Sequence, residues 1–169
     1  MSERVRAVAP GLGLMHFALM LAGLGTALLG PILPLLARQW AMQDSQSGLL
    51  MMAKFCGAFV GGVSVSRNLR QSLLVGLVAG AVGFGGFALA TGTNDGMGVA
   101  CVCLFVGGFG LGRMITATNI LAGRRFTAHR GSALAVLNFS FSLGAMLSAL
   151  LAAWLLPRFA LRGVLEGFA

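Results

Sequence analysis

The chain has 169 residues, 57% of them hydrophobic and only 9% charged, with a mean hydropathy of +0.90. Twelve Lys and Arg with four Asp and Glu cannot cover a folded chain of this length in water, so a soluble globular domain is excluded and the solvent is lipid. The net charge of +8 does not describe a nucleic-acid binder, because the arginines stand singly or in pairs between long uncharged runs.

A helix rising about 1.5 Å per residue crosses roughly 30 Å of hydrocarbon in about 20 apolar residues. Five stretches reach that length, and none alternates as a barrel strand does. The expected fold class is therefore an all-α membrane protein of about five transmembrane helices. A tail over residues 1–10 precedes a helical domain over 11–157, and a short tail covers 158–169. The first span runs from Gly11 to Ala37, with Pro31 and Pro34 breaking it near its outer end and His16 as an interface residue near its inner end. The second, Gly48 to Ser66, holds Lys54, whose ammonium is expected to snorkel to the outer surface. The third runs from Leu73 to about Thr91, the fourth from about Met97 to Leu121 with Arg113 inside, and the fifth from Ser132 to Leu156. The tail from Arg158, about 18 Å as a helix, is too short for a sixth.

Short links between spans force antiparallel neighbours, and arginine asymmetry sets the orientation. Arg4, Arg6, Arg67, Arg70, Arg124, Arg125 and Arg130 fall on one face; Arg38, Arg158 and Arg162 fall on the other. The richer face is expected in the cytoplasm, which puts the N-terminus inside, the C-terminus outside and the chain in a cell inner membrane. The 26 glycines lie mostly within spans at spacings of three and four, as in Gly57 with Gly61, Gly76 with Gly80, and Gly108 with Gly112. Small residues so spaced let helix backbones approach closely in lipid, and smooth faces also let helices slide.

Chemistry-bearing residues are few. Cys56, Cys101 and Cys103 lie inside apolar runs, and the last two point to nearly opposite sides of one helix, so neither a disulfide framework nor a metal site is expected. No span holds the matched acids, serine–histidine pairs or metal ligands that intramembrane hydrolysis needs, so the chain reads as no enzyme, with no cofactor and no metal. Arg113 is placed near mid-membrane with no span carboxylate to pair with. It is satisfied by helix carbonyls or by Thr116 and Asn119, or it faces a polar cavity. With Thr116, Thr118, Asn119, Asn138, Ser140 and Ser142 on the last two spans, it fits a polar path for a small hydroxylated or anionic solute. Arg113, Thr116, Asn119 and Asn138 are the candidate substrate-binding residues.

The segment Gly62-Val63-Ser64-Val65-Ser66-Arg67-Asn68-Leu69-Arg70, between the second and third spans, resembles the loop signature of the major facilitator superfamily. Gly62, Arg67 and Arg70 match that signature; its aspartate is Ser66 here and its second glycine is Leu69. Gly110-Leu111-Gly112 through Arg130-Gly131 is similar to the fourth span and basic loop of the same superfamily, with Arg113 at a position usually small. Leu137 to Ala145 is similar to the fifth span of the fucose and glucose branch, and Gly30-Pro31-Ile32-Leu33-Pro34 to the outer end of the first.

The resemblance implies secondary or facilitative transport of a small, sugar-like polar solute at the seam of two six-span halves, of which this chain supplies five spans of the first. The expected partners are the lipid bilayer, the solute, and a second transporter half or a second copy. The alternative expectation is a truncated or split half without transport of its own, acting as an assembly partner or inert.

Overall fold

The computed structural model describes residues 12–90 and 96–155. Both predicted tails lie outside that range, and with them Arg4, Arg6, Arg158 and Arg162. The described residues form α1 (Leu12–Ala27), α2 (Leu29–Gln39), α3 (Asp44–Val63), α4 (Leu69–Ala90), α5 (Met97–Arg125) and α6 (Arg130–Leu155). With α1 and α2 taken as one broken rod, five helices are long and apolar enough to cross a membrane.

Helix ends follow local chemistry. The first span breaks at Leu28, one turn before the prolines. Pro31 has no N–H to offer the Ala27 carbonyl and its ring presses on that carbonyl, so the helix gives way there. The start of α3 lies four residues earlier than its apolar run, because Gln43 ends the preceding turn and its backbone N–H donates to Gln46 Oε1 at 2.9 Å. Asp44 then sits in the first turn, where a negative charge is favoured. At the start of α4, Asn68 Oδ1 accepts the Gln71 N–H at 3.3 Å.

Packing centres on α5, which lies along both α3 and α4, while α1 lies along α6. Backbone contact makes these seams. A Cβ at Gly57 or Gly61 would strike the backbone of Phe105 or Phe109, and one at Gly108 or Gly112 would strike Lys54 or Ala58. The same interlock joins Gly23 to Phe141 and Gly144 to Met20 across α1 and α6. Lipid provides no hydrophobic drive between helices, so this close approach and the dispersion it allows hold the bundle together. Leu19, Leu50, Leu104 and Phe87 fill the interior, and Phe59, Val82, Phe139 and Trp154 point outward, as a lipid-facing surface requires.

Lys54 departs from expectation. Its side chain is only 2% exposed, and Nζ donates to the Thr26 carbonyl on α1. With α3 beginning at Asp44, Lys54 is about 15 Å along the helix instead of near its end. It points inward from the face that Leu50, Gly57 and Gly61 share and does not snorkel.

Candidate functional site

Two helix faces carry the polar residues of the last two spans. On α5, Thr116, Asn119 and Ile120 follow the three- and four-residue spacing of one face; on α6, Arg130, Leu134 and Asn138 follow a strict four-residue spacing. The turn from Phe126 to His129 folds α6 back, and these six residues line a pocket of about 280 Å³ near the end of the bundle that carries Arg124, Arg125 and Arg130. Gly123 shapes its rim, since a Cβ there would come within 3.0 Å of Arg130 Nε, and the bare helix surface seats the guanidinium.

The polar groups of this pocket are unspent. Thr116, Asn119, Arg130 and Asn138 make no side-chain hydrogen bond to another described residue, and Asn119 Oδ1 is buried without a partner. Buried or half-buried polar atoms in a finished core are paired, because leaving one unpaired costs about 1–3 kcal/mol. Thr116 and Asn119 are half-buried and unpaired beside the exposed Arg130 and Asn138, and their convergence on one space marks a surface that meets water or a solute. No acid lines it, so Arg130 gives the pocket a net positive charge.

Three of the four residues expected to bind substrate are thus brought together, and Arg130 joins them. Arg113 is not among them. Its guanidinium reaches the link between α3 and α4, where Nη1 donates to the Ser64 carbonyl at 2.9 Å and to Ser64 Oγ at 3.0 Å. Nη2 donates to Ser72 Oγ at 3.4 Å, and the Phe109 ring lies 5.6 Å from Cζ. Ser72 Oγ also accepts the Ser66 N–H at 3.1 Å, so Arg113 is tied into the loop that carries the Gly62, Arg67 and Arg70 signature. Arg67 and Arg70 are exposed there, and Gly62 lies beneath Thr116, whose Oγ1 would be 3.2 Å from an added Cβ. His16 Nδ1 and Ser140 Oγ lie 2.7 Å apart, joining α1 to α6, and Met15, Leu19 and Leu137 form a buried apolar cluster between the same helices.

A second cavity, about 340 Å³, opens between α1, α4 and α5 and is lined by Leu21, Leu24, Gly25, Phe84, Leu111 and Met114 among others. Its lining side chains are apolar, and none carries an N–H, O–H or carbonyl group. Among the described residues no group of His, Cys, Asp and Glu is arranged to hold a metal, and the three cysteines are free.

A bundle of long apolar helices, fastened by glycine seams and holding an unspent polar pocket between two of the described spans, defines a multi-pass membrane protein. The profile of the Major Facilitator Superfamily matches residues 15–166, and the chain belongs to that family. It is 30% identical over 139 residues to the 4-hydroxybenzoate transporter PcaK of Acinetobacter baylyi, covering 81% of this chain and 30% of that protein. It is 32% identical over 146 residues to the protein of the same name from Pseudomonas putida, covering 82% of this chain and 32% of that protein. The chain therefore spans about a third of the length of these curated relatives. No solved structure is a significant match.

Proposed function

We propose that the chain forms one wall of a transport path for a small organic anion, with aromatic carboxylates as the substrate class, in a cell inner membrane with its arginine-rich end in the cytoplasm. The observation that carries this reading is the α5–α6 pocket, whose Thr116, Asn119, Arg130 and Asn138 are uncommitted and whose charge is positive. The substrate for which the relatives are named, 4-hydroxybenzoate, has the charge such a pocket favours. A sugar-like solute, expected from the resemblance of Ala117-Thr118-Asn119 and Leu137 to Ala145 to the fucose and glucose branch, offers no anion to Arg130 and is replaced by the acid in this reading. Arg113 serves the path from behind, by fixing the α3–α4 loop.

In this reading the path is completed by a second half or a second copy, since transport in this fold is one half rocking against another. Membrane vesicles containing the chain together with the remainder of such a transporter are expected to accumulate labelled 4-hydroxybenzoate, with saturation and with competition by benzoate but not by glucose. Competition by glucose would return the reading to sugars. Saturable uptake by the 169-residue chain alone would show that copies of it make a complete path.

A further inference from the structure

The geometry points to a division of labour within the α5–α6 pocket: Arg130 at the rim takes the carboxylate of the solute, and Asn119 at the floor takes a hydroxyl carried at its far end. This assignment rests on the transport reading above and names the residues that would read the substrate.

Arg130 opens α6, is exposed, and lies over Gly123 with no acid beside it in the pocket. A guanidinium presents a planar fork of donors that matches a carboxylate edge and is the stronger for being charged. Asn119 is half-buried; its Oδ1 lies against protein without a donor, and a half-turn of the amide brings that acceptor to the pocket. An orphan acceptor of that kind is satisfied by an O–H or N–H on the bound molecule and by nothing a bare hydrocarbon carries. Between the two, Ile120 and Leu134 provide apolar walls. The volume, about 280 Å³, equals that of roughly nine waters at about 30 Å³ each, which is room for a single ring and its two substituents. The molecule so described is a compact monoanion: carboxylate at one end, flat apolar body, hydroxyl donor at the other. Discrimination by the floor should be steep, because a site built to pair a hydroxyl rejects the analogue lacking it when its own polar group is left unpaired.

The test measures binding of 4-hydroxybenzoate, benzoate and phenol to the chain in lipid nanodiscs by calorimetry. The wild-type chain is expected to bind 4-hydroxybenzoate best, benzoate less and phenol least. Arg130→Gln should weaken both acids by about ten- to a hundredfold while leaving phenol unchanged, the scale of one charge-assisted contact. Arg130→Lys should restore most of that loss. Asn119→Ala should weaken 4-hydroxybenzoate by about tenfold, to the level of benzoate, and leave benzoate unchanged. If the acids bind the wild-type chain but Arg130→Gln leaves them unaffected, or Asn119→Ala weakens both alike, the assignment is overturned while the transport reading stands. If the wild-type chain binds neither acid, the aromatic-acid reading of this pocket falls and takes the assignment with it. Exposure of Arg130 and the half-buried position of Asn119 make both substitutions compatible with folding, and the helical circular dichroism of each variant checks this.

Discussion

The two flanks of α5 are built on opposite plans. Toward α3 and α4 its surface is bare glycine, with Gly108, Gly110 and Gly112 set so close to the neighbouring backbones that no Cβ fits. Toward α6 the same helix carries Thr116 and Asn119, the contact is sparse, and a pocket opens. The closed flank fixes where α5 stands, and the open flank is thereby free to spend its polar groups on something other than the fold. A polar residue on a mobile helix would be a weak reader of a solute; on a helix clamped along its far side it is preorganised.

The closed flank is the more sensitive to substitution. Gly112→Val places side-chain atoms where the Ala58 carbonyl stands, and backbone cannot yield as a side-chain tip does. Overpacking of this kind costs about 1–3 kcal/mol or more, and the expected result is loss of monodisperse protein in detergent gel filtration. Gly98→Ala, on the same helix but with nothing within 4 Å, is the matched control. It should fold normally and, on helix propensity, melt slightly higher. Equal damage from both would mean that the glycines of α5 serve flexibility and not contact.

A smaller effect is expected from Arg113→Ala, which withdraws three hydrogen bonds from Ser64 and Ser72. Because these serines lie at a helix end where water can replace the donor, the loss should be about 1–2 kcal/mol. It is to be read as a lowered melting temperature together with faster protease cleavage between Val63 and Leu69. Binding of 4-hydroxybenzoate should change little. If binding is lost while the melting temperature holds, Arg113 belongs to the open flank after all and the solute path is wider than the pocket.

The smallest effect sharpens the comparison at the α1–α6 seam. His16→Phe removes the single contact to Ser140 and should lower stability by about 0.5–1.5 kcal/mol, with no further loss when Ser140→Ala is added. Additive losses in that cycle would show that the two residues act separately.

The lengths of the apolar runs made the five spans legible, and the Gly and Arg spacing of the second link led to the family. Depth within a span was harder to read. Counting Lys54 from Gly48 put it near the surface, whereas polar Asp44, Ser45, Gln46 and Ser47 are helical and move it inward. Membrane helices tolerate such residues in their first turn, where headgroups and water reach them, so hydropathy alone marks the apolar stretch and not the helix. The partners of Arg113 are 49 and 41 residues away, a pairing that no local spacing announces. Arg130 entered as an orienting charge and as part of the basic loop of the family, although its four-residue register with Leu134 and Asn138 was visible and would have placed it on the pocket's face.

The bond from Lys54 to Thr26 has a consequence for how the protein is made. A lysine at the centre of a helix opposes insertion by about 2.5–3.5 kcal/mol, and the span that carries it is the least apolar of the five. The carbonyl that receives its ammonium, that of Thr26, belongs to the span synthesised just before. The second span is therefore expected to leave the translocon as a hairpin with the first, its charge already sheltered, and a ribosome-stalled chain ending soon after Val63 should insert its second span poorly when the first is replaced by an unrelated apolar span, a loss that Lys54→Leu relieves.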